Sequence, residues 1–178
     1  MNNTGMKLQR RNSMNVPRIV FPLMTVTVIL VFHGCCDPQK TQTAEHKATV
    51  RYFLEDAWNR CDSSRFHEII SSNGSWYLGG KKYPWNPHVE AEIMVWWWKI
   101  CPDYKYTLED IFGEGDKVVV RLTFSGTPRD TLMGIPPTGK HFSTTEMQIF
   151  RFSEGKMIEN WAEYDKYGMF KQLGAIRK

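Results

Sequence analysis

The sequence has little cysteine and no cluster of residues spaced to bind a metal ion. Its 178 residues include four cysteines, and no Cys-x-x-Cys, His-x-x-x-His or mixed pattern typical of a metal site occurs. The cysteines also lack the paired spacing of a disulfide framework, although a single Cys61–Cys101 bridge stays open. We therefore predict a domain without a metal site.

Net charge is absent from most of the chain. Lys and Arg number 23 and Asp and Glu number 19, but residues 1–34 hold four bases and no acid. From residue 35 onward, bases and acids balance at 19 each. Because nucleic-acid binding depends on clustered Lys and Arg that meet phosphates, we predict no nucleic-acid partner.

Long apolar runs are confined to a leader, residues 1–35. Three arginines precede an apolar run over residues 19–32, which is the order of a secretory signal. A helix of that length spans about 21 Å, short of a hydrocarbon core of about 30 Å, which disfavours a membrane-spanning helix. Cys35 then follows glycine, as in a bacterial lipoprotein signal. We predict an exported protein anchored in the membrane of the cell envelope by lipidation of Cys35; a start at Met6 or Met14 would leave the apolar run intact.

Helical patterns fill the first half of the remaining chain. Residues 36–43 are polar and are interpreted as a tether before a domain over residues 44–178. Apolar residues then recur every three to four positions and predict a first helix with Val50, Phe53, Leu54, Ala57 and Trp58 on one face. Asp62 is the expected cap of a second short helix that buries Phe66, Ile69 and Ile70. Asn86 and Pro87 predict the start of a third, with Val89, Ile93, Trp96, Trp97 and Ile100 inward.

After Pro102 the apolar period changes from 3.6 to 2. Alternating residues predict strands over about 104–109, 118–125, 141–152 and 157–164, with Gly-containing turns after the first and third. Helices followed by an antiparallel meander indicate an α+β fold. A curved sheet with helices on its concave side would enclose a pocket.

Several motifs in this second half resemble those of a known family. They are Cys101-Pro102-Asp103-Tyr104, Ser125-Gly126-Thr127, Gly134-Ile135-Pro136-Pro137-Thr138-Gly139, Gly155-Lys156-Met157-Ile158-Glu159-Asn160-Trp161 and Gln172-Leu173-Gly174. Their order and spacing are similar to those of the SnoaL-like polyketide cyclases, or ester cyclases, of the nuclear-transport-factor-two-like superfamily. The resemblance is dense from about Ile100 to Gly174 and rests on pattern alone from Val50 to Lys99.

The resemblance implies a cone-shaped α+β fold with a deep apolar pocket, commonly dimeric through the outer face of its sheet. It also implies ring closure of an aromatic polyketide-like carbonyl compound by intramolecular aldol condensation, with neither metal nor nucleotide. An aspartate is the general acid/base of the family, and the motif places it at Asp165. If no bulge intervenes, strand alternation puts Trp161, Glu163 and Asp165 on one face, so that Trp161 would pack against the substrate ring. The alternative for Asp165 is a cap of the helix that follows.

Other residues are candidates for the walls of the pocket. We expect Trp58, Tyr77, Trp97, Arg121, Arg151 and His141 to contact the substrate, with core packing as the alternative for the aromatic residues and a solvated surface for the charged ones. Three consecutive tryptophans cannot all face one way on a helix, because successive positions are about 100° apart.

Two classes of function remain open. The first is an ester cyclase that binds a small hydrophobic molecule and uses acid/base catalysis, with related lyase, isomerase or hydrolase chemistry as a variant. The second is a non-catalytic module that binds small apolar ligands at the cell envelope.

Overall fold

The computed structural model describes residues 38–176. The predicted leader and the lipidation of Cys35 lie outside the described residues. The helices are α1 (Pro38–Arg51), which continues into a π-helical segment (Tyr52–Trp58), α2 (Phe66–Ile69), α3 (Pro87–Ile100) and α4 (Lys166–Gln172). The strands are β1 (Ile70–Leu78), β2 (Lys81–Trp85), β3 (Lys105–Glu114), β4 (Lys117–Gly126), β5 (Phe142–Ser153) and β6 (Lys156–Tyr164).

The six strands form one curved sheet in the order β2-β1-β6-β5-β4-β3. Neighbouring strands are antiparallel except β1 and β6, which are parallel. The predicted α+β class, with helices covering a curved sheet, is confirmed. The four predicted strands correspond to β3 to β6, so the sheet is larger than the sequence pattern indicated.

The hairpin β1–β2 was not predicted, and only the start of the expected second helix forms. Helix α2 ends at Ile69, and Ile70 already belongs to β1. Gly79 and Gly80 both have positive φ, which is the conformation of a two-residue hairpin turn. Asp62 does not cap α2; its carboxylate accepts a hydrogen bond from the Ser64 N–H, before the helix begins.

The first helix starts earlier than expected. Residues 38–43, interpreted as a tether, are helical and belong to α1. Thr43 lies beside the β3–β4 turn, where its Oγ1 is 3.5 Å from the Gly115 carbonyl oxygen. The predicted apolar face is confirmed, since Val50, Phe53 and the other three residues of that face are buried.

The third helix begins as predicted, because the Asn86 side chain accepts hydrogen bonds from the backbone N–H groups of His88 and Val89 and Pro87 follows it. Its buried face is rotated from the expected one. Glu90 and Met94 are buried beside Ile100, whereas Trp96 is 41% exposed. The three tryptophans do not all face one way, since the indole N–H of the part-buried Trp98 donates to the Trp58 carbonyl oxygen at 2.7 Å.

We expect Asn86→Ala to destabilise the protein by about 1 kcal/mol, because the cap of α3 is lost. The free energy of unfolding is measured by urea denaturation. Asn73→Ala, at an exposed position of β1, is the matched control and should change stability by less than about 0.5 kcal/mol. Equal effects of the two substitutions would contradict the capping role.

Candidate functional site

A cavity of about 250 Å³ lies between the helices and the concave face of the sheet. Its lining is mostly aromatic, with a small polar group at the sheet. The lining residues are Phe53, Trp58, Trp76, Leu78, Glu90, Ile93, Trp96, Trp97, Tyr104, Tyr106, Phe124, Met133, Glu146, Gln148, Asn160, Ala162 and Tyr164. Trp96 and Met133 are also 41% and 40% exposed, so they mark the mouth of the cavity.

One wall of the cavity is a continuous set of rings. The ring of Trp58 lies 5.6 Å from Tyr104 and 5.3 Å from Tyr106, and Trp97 lies 5.3 Å from Tyr104 and 5.9 Å from Phe124. Tilted and edge-on pairs at these distances are favourable arrangements for aromatic rings. The wall therefore offers both ring faces and ring edges to a ligand.

Helix α3 contributes a buried carboxyl group to the cavity, that of Glu90. The indole N–H of Trp58 donates to its Oε1 at 2.9 Å, and the indole N–H of Trp85 donates to its Oε2 at 2.6 Å. Burial raises the pKa of Glu90 from its ordinary value of 4.5 to about 7, against the lowering effect of the two hydrogen bonds. The group therefore changes its charge near neutral pH.

Strand β5 contributes a second buried carboxyl group, that of Glu146. Gln148 Nε2 donates to Glu146 Oε1 at 3.0 Å, and Asn160 Nδ2 donates to Gln148 Oε1 at 3.1 Å. Burial, with a smaller contribution from the nearby charge of Glu90, raises the pKa of Glu146 to about 8, against the lowering effect of the hydrogen bond from Gln148. A carboxyl group with this pKa is suited to give and take protons near neutrality.

The sequence pattern did not lead us to these polar residues, although β5 carries a readable signal. Phe142, Phe150 and Phe152 are all buried at even positions of one alternating strand. The same alternation places Glu146 and Gln148 on the inward face. The residue order of β5 alone therefore indicates a carboxyl group at an inward position.

Of the predicted site residues, Trp58 and Trp97 line the cavity. Trp161 and Tyr77 do not: they lie on the outer face of the sheet, where their rings stack with centroids 5.2 Å apart and planes 10° from parallel. Arg121 and Arg151 also lie outside the cavity, each paired with a carboxylate on a neighbouring strand.

A bulge in β6 sets which of its residues face the cavity. Met157 pairs with Phe152 and Glu159 pairs with Arg151, so Ile158 is an extra residue in the ladder. Beyond this bulge the alternation is inverted, and Asn160 and Ala162 face the cavity. Trp161 is therefore turned to the other side of the sheet.

The structure places Asp165 at the N-terminus of α4. Its Oδ1 accepts a hydrogen bond from the Gly168 N–H at 2.8 Å, and the residue is exposed and absent from the cavity lining. This geometry is that of the helix cap considered as the alternative role. His141 is also exposed, with its Nδ1 3.1 Å from Thr127 Oγ1 and 3.7 Å from Asp103 Oδ2.

Comparison with known proteins identifies the family of this chain. The model of the SnoaL-like polyketide cyclases matches residues 48–173. The chain belongs to this family. The match includes every element that lines the cavity, from the π-helical segment to β6.

Solved structures of similar proteins share the fold of this SnoaL-like chain. AclR of Streptomyces galilaeus, described as a proposed hydroxylase, is 28% identical, with 76% of this chain and 99% of AclR covered and a TM-score of 0.67. TsrD of Streptomyces laurentii is 28% identical, with 75% and 97% covered and a TM-score of 0.66. IdmH of Streptomyces antibioticus, described as a proposed polyketide cyclase, is 27% identical, with 71% and 96% covered and a TM-score of 0.63. No curated protein matches the sequence.

Two observations concern the described chain as a whole. No helix within residues 38–176 is long and apolar enough to cross a bilayer. The same residues hold no group of three or more His, Cys, Asp or Glu side chains arranged to bind a metal ion.

The two cavity carboxyls predict how stability depends on pH. Their pKa values, about 7 and about 8, lie above the ordinary value of 4.5, so between about pH 4.5 and 8 the folded protein holds more protons than the unfolded chain. Stability therefore falls as the pH rises through this window. We expect a lower urea midpoint at about pH 8 than at about pH 5.5, and a smaller difference in Glu146→Gln.

The control is Glu163→Gln, which removes an exposed carboxylate of β6 outside the cavity and should keep the full pH effect. An identical pH effect in Glu146→Gln and the unaltered protein would contradict the raised pKa of Glu146.

Proposed function

We propose that this SnoaL-like protein catalyses aldol-type ring closure of a hydrophobic, aromatic carbonyl compound with Glu146 as the general acid/base. The observation that carries the proposal is the position of Glu146. It is a titratable group with a raised pKa inside an aromatic cavity of suitable size for a small fused-ring compound. The family and the likeness to IdmH support the reaction class.

The chemistry requires one group that first takes a proton and then returns it. The Glu146 carboxylate takes a proton from the carbon next to a carbonyl, and the electron pair of that C–H bond moves to the carbonyl oxygen as an enolate. The enolate carbon forms a bond to a second carbonyl carbon of the same molecule. The resulting alkoxide then takes the proton back from Glu146, so the protein ends as it began.

The surroundings of Glu146 favour this cycle. The hydrogen bond from Gln148, itself fixed by Asn160, holds the carboxyl in one orientation. A positioned acid/base group contributes about 10²- to 10⁴-fold in rate. The aromatic walls exclude water and hold the two reacting carbons close together, which adds to this factor.

A second candidate function is ligand binding without catalysis. It is favoured by the location of Asp165, the expected catalytic residue, which caps α4 outside the cavity. This function would need the cavity but not the titration of Glu146.

A measurement of proton abstraction from carbon distinguishes the catalytic function from ligand binding without catalysis. The probe is 2-tetralone, a fused-ring ketone whose exchange of acidic C–H for deuterium in D₂O is followed by NMR. We expect the protein to accelerate exchange, Glu146→Gln to slow it by about 10²- to 10⁴-fold, and Asp165→Asn to leave it within about threefold, since that side chain does not reach the cavity.

Binding is measured in parallel by quenching of the cavity tryptophans. Exchange that survives Glu146→Gln, or is lost in Asp165→Asn, would overturn the assignment of Glu146. Binding of 2-tetralone without accelerated exchange would favour the non-catalytic function.

The proposal extends to a homodimer through the outer face of the sheet. An apolar row crosses five strands of this face, formed in register by Phe112, Val119, Ile149, Trp161 and Tyr77. Phe112 is 64% exposed and Ile149 36% exposed, so the row is a contiguous, solvent-accessible apolar patch, which is typical of an interaction surface. The charged residues beside this row form the ion pairs Arg121–Asp110 and Arg151–Glu159. Their charges cancel, so a second copy of the chain would meet no net charge there.

We expect Ile149→Lys, at the centre of this row, to convert a dimer into a monomer, because a lysine there would be buried without a partner. The molar mass is measured by light scattering. Lys105→Glu, at the exposed start of β3, is the control and should leave the dimer intact. A monomeric unaltered protein would contradict this interface.

A further inference from the structure

The acidic character of the cavity is not explained by a neutral aromatic substrate. Two carboxyl groups line it, and none of the described lining residues is Lys, Arg or His. Burying a carboxylate without a positive partner is costly. No cationic side chain of the lining therefore offsets the charge of these carboxyls when they ionise.

The two carboxyls differ in how far the protein satisfies them. Both oxygens of Glu90 accept indole N–H groups, from Trp58 and Trp85. Glu146 is 93% buried, since its exposed fraction is 7%, and Gln148 bonds its Oε1 alone. No described residue donates a hydrogen bond to Glu146 Oε2, so this oxygen is available to a ligand in the cavity.

The rest of the lining suits an organic cation better than a metal ion. Trp58, Trp97, Tyr104 and Tyr106 form a wall of rings beside the carboxyls. A metal ion prefers several oxygen or nitrogen ligands, whereas an alkylammonium group is attracted to the faces of aromatic rings. An aromatic cage with a carboxylate at its end combines both attractions for a substituted ammonium group.

We propose that the ligand of this cavity carries a positively charged, substituted nitrogen next to its hydrophobic rings, and that Glu146 is its counter-charge. This inference deepens the proposed function, on which it rests, because it names the substrate class of the same cavity. A bound cation would also keep Glu146 ionised, which is the form that takes a proton from carbon.

The test compares phenyltrimethylammonium with tert-butylbenzene, which has the same shape and no charge. Binding to the unaltered protein is followed by quenching of tryptophan fluorescence, since Trp58, Trp76, Trp96 and Trp97 line the cavity. We expect the cation to bind at least about tenfold more tightly at pH 9, because a desolvated cation next to aromatic faces and a carboxylate gains the corresponding free energy.

The pH dependence is a second measurement that needs no variant. The charge of phenyltrimethylammonium does not titrate, so any change of affinity comes from the protein. Glu146 faces Glu90 of α3, Tyr104 just before β3, Tyr106 of β3 and Tyr164 of β6. Burial raises the pKa of the three tyrosines, which stay neutral below pH 9. Affinity for the cation should therefore rise between about pH 6 and 9, as Glu146 and Glu90 ionise.

Glu146→Gln should greatly reduce the preference for the cation at pH 9, and the matched control Glu163→Gln, on the outer face, should keep it in full. Equal or tighter binding of tert-butylbenzene at pH 9 would overturn the inference. So would an affinity for the cation that does not change with pH, or a preference for the cation that is undiminished in a folded Glu146→Gln variant.

The outcome is separable from that of the proposed function. Deuterium exchange that depends on Glu146, without a preference for the cation, removes this inference and leaves the catalytic role. A preference for the cation without exchange removes the catalytic role and leaves the binding specificity.

Discussion

The Glu90 carboxyl is the point at which three elements of the domain are joined. Its oxygens accept indole N–H groups from Trp58 at the end of the π-helical segment and from Trp85 at the end of β2, while Glu90 itself lies on α3. An indole N–H is a donor only, and a buried donor without an acceptor costs about 1–3 kcal/mol. The carboxyl therefore fixes how the helices meet the hairpin, and the cavity takes its width from that arrangement.

The same carboxyl sets the electrostatics of the cavity. Its charge opposes ionisation of Glu146, which is already held back by burial. A like-charge neighbour in a dry site is a common way in which proteins bring a carboxyl group into the neutral range. The ionisation of Glu146 is thus coupled to that of Glu90, and the charge state of neither carboxyl follows from its own hydrogen bonds alone.

The sequence predicted the features that depend on local pattern. The cap at Asn86 followed by Pro87 marked the start of α3, and strict alternation marked β3 to β6. It did not predict the effect of one extra residue, Ile158, because a bulge is set by pairing with β5 and not by the strand's own composition. A shift of one residue exchanges the two faces of a strand. Trp161 was assigned to the cavity because it shares a face with Asp165, and the structure places Trp161 on the outer face of the sheet.

The candidate site was harder to predict than the fold for a second reason. Family motifs drew attention to Asp165, whereas the inward position of Glu146 follows from the apolar residues that alternate with it on β5. Glu90 required the rotational phase of α3, which three consecutive tryptophans obscure, since each is a plausible inward residue. Long-range packing decides such cases, and it is not encoded in a short window of sequence.

Helix α1 and the cavity mouth lie at opposite ends of strand β4, because Thr43 of α1 lies beside the β3–β4 turn. Strand β4 leads from that turn to Gly126, about 30 Å away at the usual rise per residue, and the cavity mouth at Trp96 and Met133 lies toward that far end, where Tyr164 meets Met133. Helix α1 enters at the turn. A surface coupled to the protein at the β3–β4 turn would thus leave the cavity mouth open to the solution.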